Sequence, residues 1–102
     1  MTRLLPDNEL PEGGLHRVEH EGHSILLCRV DGIVHAVADT CTHEEVSLSL
    51  GALRQHCLRC PLHGSEFDVR TGQVLSEPAD TDLAVYPVKV EAGWIVLDPG
   101  ET

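Results

Sequence analysis

Aromatic residues are nearly absent from this chain: Phe67, Tyr86 and Trp94 are the only ones among 102 residues. The core must therefore be built mainly from Val, Leu, Ile and Ala. Basic residues are scarce as well, 7 against 17 acidic, for a formal charge of −10. That deficit argues against nucleic acid as a partner, because phosphate binding needs a basic face. An anionic membrane surface is disfavoured for the same reason. A basic protein partner fits the charge, since opposite charge speeds encounter; simple solubility fits it equally. No apolar run approaches the length that crosses a bilayer. The segment Met1-Thr-Arg-Leu-Leu-Pro6-Asp7 lacks the apolar stretch of a secretory signal. The expectation is a cytoplasmic protein of one domain, residues 1–102.

No window carries a sustained 3.6-residue apolar period with caps. Short stretches rich in Val, Ile and Leu lie instead between Gly- and Pro-marked breaks. They predict seven strands: Leu15–His20, His23–Val30, Ile33–Ala38, Leu53–Arg59, Glu66–Val69, Leu83–Val90 and Trp94–Leu97. Asp31-Gly32 is the strongest hairpin signal, with Glu21-Gly22 and Ala92-Gly93 weaker ones. The class is all-β, a sandwich or barrel. Asp39 to Gly51 and Asp80 to Thr81 read as loops.

The chemistry sits in two short boxes. Cys41-x-His43 is followed after 16 residues by Cys60-x-x-His63. Each box lies in a loop at a strand tip and offers one thiolate and one imidazole, so two loops can close on one object. Pro61 and Gly64 suit a tight turn. Two thiolates and two imidazoles can hold zinc as a tetrahedron. They can also hold a 2Fe–2S cluster, with two Cys on one iron and two His on the other. Structural zinc sites usually group Cys with Cys and His with His, whereas each half here mixes the two, which favours the cluster.

The remaining candidates read as structural. Cys28 lies in an apolar strand and is expected to be buried. Cys57 forms a Cys-x-x-Cys with Cys60, yet the two fall on opposite sides of a straight strand. His16, His20 and His23 are expected at the surface, and Gly22 interrupts any helical ligand spacing among them. His35 is expected on a sheet face, Trp94 in packing and Arg70 as a solvated turn charge; His56 has no assigned role. No nucleotide-binding glycine motif, nucleophile elbow or third metal site is present.

Cys41-Thr42-His43 and Cys60-Pro61-Leu62-His63-Gly64 resemble the two cluster-binding boxes of Rieske proteins. Phe67-Asp-Val-Arg-Thr-Gly72 resembles the strand and turn after the second box, and Pro78 with Leu83–Val88 resembles the family's proline loop and following strand. The resemblance is greatest to the Rieske-type ferredoxins of bacterial aromatic-ring dioxygenase systems. It implies a stack of three antiparallel sheets with a small cluster-binding subdomain, about residues 39–72, at the loop tips. It further implies that Cys41 and Cys60 hold an inner iron of one 2Fe–2S cluster, and His43 and His63 an outer one. The implied role is an electron carrier, not an enzyme, between a flavin-dependent ferredoxin reductase and a terminal oxygenase. A small subunit of a nitrite reductase is an alternative within the family, and a structural-zinc interaction module one outside it. High-potential relatives carry an extra disulfide-linked Cys in each box; Val46 and Leu62 stand there instead. That favours the low end of a range spanning about −150 to +300 mV. Ser65 stands where such relatives have a serine that reaches a bridging sulfide, which raises the potential; otherwise it is a solvent-facing turn residue. Glu44, Glu45 and Glu66 flank the histidines in sequence and are candidates to dock a basic partner.

Overall fold

The computed structural model describes residues 2–41, 46–61, 64–77, 79 and 81–97. In chain order its strands are β1 (Thr2–Pro6), β2 (Leu15–His20), β3 (His23–Val30), β4 (Ile33–Ala38), β5 (Ala52–Arg54) and β6 (Cys57–Arg59). Then follow β7 (Glu66–Asp68), β8 (Val74–Ser76), β9 (Val85–Tyr86), β10 (Val88–Glu91) and β11 (Trp94–Leu97). All pairings are antiparallel and make three sheets, ordered β1-β11-β10, β2-β3-β4-β9 and β5-β6-β7-β8.

The middle sheet grows from two tight hairpins. Both central residues of each turn have positive φ: Glu21 49° and Gly22 82°, then Asp31 53° and Gly32 77°. This is the mirror-image turn whose twist matches that of paired strands. The Glu12 carboxylate accepts the Asp31 and Gly32 N–H groups at 2.7 and 2.8 Å, which fixes the second tip.

Strand β3 is the wall between two cores. Alternation sends successive side chains to opposite faces. Ile25 and Leu27 join Leu5, Leu10, Ala36 and Ile95, between the first and middle sheets. Leu26, Cys28 and Val30 join Leu58, Phe67, Val69, Cys41 and Cys60 on the other side. Both cysteines of the boxes are thus packed into the core between the middle and third sheets.

Two long predicted strands are each divided. Leu53–Arg59 is a hairpin, β5 and β6, turned at Gln55 (φ 55°) and His56. Leu83–Val90 breaks at Pro87: β9 pairs with β4 in the middle sheet, and β10 pairs with β11 in the first. Pro87 cannot donate to a ladder and marks where the chain changes sheets. Strands β1 and β8 lie outside the seven predicted. The Asp39–Gly51 interval holds a Thr40–Ser47 bridge and a 3₁₀ turn over Leu48–Leu50.

Candidate metal centre

The two boxes begin alike. The Cys41 N–H donates to the Val46 carbonyl at 3.1 Å, and the Cys60 N–H donates to the Ser65 carbonyl at 2.7 Å. Each bond spans five residues, so each cysteine stands at the base of a loop closed by backbone at the same ring size. Cys41 is 4% exposed and Cys60 2%, and neither is in a disulfide. His43 and His63, with Thr42, Glu44, Glu45 and Leu62, lie outside the described residues. In sequence each histidine falls between the two closure points of its loop.

The other two cysteines differ in kind. Cys28 is buried in β3, and its thiol donates to the His35 carbonyl at 3.7 Å. Burial pushes its pKa up to about 12, so it is a neutral apolar residue, as the sequence suggests. Cys57 is half-buried; burial first, then the adjacent Glu66, raise its pKa. Neither is poised as a thiolate. A donor set of two buried sulfurs at the loop bases and two imidazoles within the loops fits a mixed-ligand 2Fe–2S cluster. Burying thiolates without a cation would be costly, and a metal centre removes that cost.

Three buried polar side chains brace this arrangement. Asp39 is 2% exposed and is a hub. Its carboxylate accepts from the Ser49 N–H at 3.0 Å, the Ser47 hydroxyl and Arg17 Nε at 3.1 Å, while its carbonyl accepts the Leu48 N–H at 2.6 Å. It therefore fixes the chain just after the first loop. Ser65 is fully buried, not a solvent-facing turn residue; its hydroxyl oxygen accepts the Ala79 N–H at 3.0 Å, tying the second loop to the segment after β8. Asp68 takes a two-pronged contact from Arg70, at 2.9 and 3.1 Å, plus the Arg70 N–H at 2.9 Å. The Arg70 hydrogen bonds hold the Asp68 carboxyl below its usual range. Arg70 is thus a partner of a buried carboxylate, more than a solvated turn charge.

Close backbone approach explains one glycine here. A Cβ on Gly51 would lie 2.0 Å from the Arg59 carbonyl oxygen, so only glycine lets the chain cross β6 beside Cys60. Val46 is partly buried against the same core. Glu66 on β7 donates its N–H to Ser76 Oγ at 3.1 Å and sits beside Cys57. His16 and His20 lie on β2, where His20 meets Glu21 at 3.0 Å; the His23 ring stands 6.4 Å from Tyr86. His35 is half-buried on β4, its pKa lowered mainly by burial. Trp94 starts β11 beneath the Arg3 guanidinium, 5.1 Å from the ring centre. Asp39 and Arg59 were not singled out from sequence. A lone Asp before a box, followed by Ser47 and Ser49, was the available signal for the first.

The Rieske [2Fe-2S] domain matches residues 1–87. The ferredoxin component of a naphthalene 1,2-dioxygenase system from Pseudomonas aeruginosa is 38% identical over 90 residues, 88% of this chain and 86% of its own. The ferredoxin of Sphingomonas yanoikuyae B1 superposes with a TM-score of 0.90 at 31% identity, covering 94% of this chain and 95% of its own. A structure titled as the complex of reduced oxygenase and oxidised ferredoxin in carbazole 1,9a-dioxygenase contains a chain matching at TM-score 0.89 and 33% identity, covering 93% and 89%. No helix among the described residues is long and apolar enough to cross a membrane.

Proposed function

Because the chain belongs to the Rieske [2Fe-2S] domain family, we propose that it passes single electrons from a flavin-dependent ferredoxin reductase to a terminal oxygenase of an aromatic-ring dioxygenase system. The observation that carries this reading is the pair of buried, unbridged cysteines, Cys41 and Cys60, each at the base of a loop closed by the same backbone bond.

Cys41 and Cys60 would hold one iron of the cluster, and His43 and His63 the other. The cluster supplies a one-electron couple, tuned upward by neutral imidazoles in place of two thiolates. The chain's own residues keep the sulfur donors dry and fixed: Leu58, Phe67 and Leu48 pack around them, and Asp39 and Ser65 pin the chain beside each loop. The chain acts as a single domain and as a carrier, and the chemistry on the aromatic substrate belongs to the oxygenase. The named ferredoxin–oxygenase complex supports that partner.

The test is the visible and low-temperature EPR spectra of the purified protein, oxidised and dithionite-reduced. A brown protein with a rhombic signal in the reduced state alone is the expected result. A colourless protein with stoichiometric zinc, and no signal after anaerobic iron–sulfur reconstitution, would overturn the reading.

A further inference from the structure

The chain has seven basic side chains. Arg3 lies over Trp94, and Arg17, Arg29, Arg70 and Lys89 pair with carboxylates. Among the described residues only Arg54 and Arg59 have neither a carboxylate nor a ring partner. Both are on the β5–β6 hairpin, which runs directly into Cys60.

Arg59 occupies a particular place. Its cross-strand neighbour is Glu66, an opposite charge. Its guanidinium lies against the second box: a Cβ on Gly64 would meet Nη2 at 3.0 Å, Nε at 3.1 Å and Cζ at 3.4 Å. Cζ lies farther away than the two nitrogens it joins, so the Nε–Nη2 edge of the group faces the space beside the Gly64 Cα. It also lines a cleft with Leu50, Gly51, Cys60 and Pro61. In a chain of formal charge −10, a cation is set against the loop that begins at Cys60.

We propose that Arg59 is a positioning residue that sets the midpoint potential of the centre, by holding a permanent positive charge against the second loop. The inference rests on the cluster reading above. Adding an electron adds a unit of negative charge, and a cation close by favours that state. A guanidinium keeps its charge at any working pH. The side chain is exposed, so salt weakens the effect.

The experiment is a redox titration of the loaded protein, followed by visible absorption, at low and high salt. Arg59→Gln is expected to lower the reduced-to-oxidised ratio at fixed ambient potential several-fold; a tenfold drop would equal 59 mV for one electron. Arg59→Lys should restore most of it, and high salt should shrink the difference. Arg54→Gln removes the same charge roughly 7 Å farther along the hairpin and should change the ratio far less. If Arg59→Gln fails to hold the cluster, Arg59→Met replaces it. Equal shifts in the Arg54 and Arg59 variants, or none in either, would overturn the proposal. So would loss of the cluster from both neutral variants with Arg59→Lys intact, which would make the charge a requirement for holding the cluster and not a setting of its potential. A wild-type protein without a 2Fe–2S spectrum would instead remove the underlying reading, and the proposal with it.

Discussion

Strands β2, β3 and β4 are six, eight and six residues long, whereas β5, β6, β7 and β8 have three each. The middle sheet is held by burial: Ile25, Leu26, Leu27 and Cys28 are at most 1% exposed, and cores lie on both faces. The third sheet has one well-covered face and short ladders. Isolated strands of that length are marginal, and polar braces at Asp39, Ser65 and Asp68 stand where longer strands would otherwise be needed. One region is a scaffold that needs only its side chains. The other is expected to gain stability from the centre it holds.

The sharpest way to break this contrast is to remove the centre. In Cys60→Ser the visible 2Fe–2S absorption and the reduced EPR signal are expected to disappear. Metal binding is coupled to folding, and local opening follows local stability. Amide exchange should therefore accelerate first at Leu58, Phe67 and their neighbours, while Leu26 and Leu27 stay protected. Uniform loss of protection would show that the two regions are one cooperative unit. A smaller effect comes from the opposite side. Leu27→Ala opens the core that the cysteines do not share and should cost about 2–5 kcal/mol by denaturant titration, with the visible spectrum unchanged. A bleached spectrum at equal stability would mean that β3 transmits strain to the boxes.

The mildest effect is acid. His35, Asp68, Arg70 and His56 lie close enough to influence one another where the two regions meet. Burial lowers the His35 pKa from 6.5, so the unfolded chain takes up a proton first as pH falls. Stability is then full above about 6.5 and declines below it until the folded value is reached. The Asp68 carboxyl is lowered from 3.8 by Arg70, so its contribution is present above 3.8 and is lost as pH falls through its folded value. The denaturation midpoint should be flat at neutral pH and fall in two steps. In His35→Gln the first step should shrink relative to wild type; an unchanged first step would exclude His35 as its source.

Legibility in the sequence followed turn chemistry. Leu15–His20, His23–Val30, Ile33–Ala38 and Trp94–Leu97 match the sequence reading, because a glycine with positive φ ends each hairpin: Gly22, Gly32 and Gly93. The turn at Gln55-His56 is left-handed at Gln55 alone and holds no glycine, so β5 and β6 read as one strand. Strand β8 is too short for alternation to register, and β1 is read only through its partner β11. The cysteine-bearing boxes were visible because ligand spacing is local, and the three-sheet stack followed only from the family resemblance those boxes carry. Burial of Ser65 and the Asp39 hub were not visible, since Ala79 and Arg17 are brought up from elsewhere in the chain; nor was the lie of Arg59 on Gly64, since residue spacing does not give side-chain direction.

The pairing of β1 with β11 has a mechanical consequence. Thr2 lies opposite Leu97 and Pro6 opposite Trp94, so the outer ends of these two strands emerge at the same edge. A force pulling Thr2 and Leu97 apart would load the cross-strand bonds one after another instead of all together. The molecule should open like a zipper from that edge, at low force, with the first sheet parting before the β5–β8 sheet bears any load.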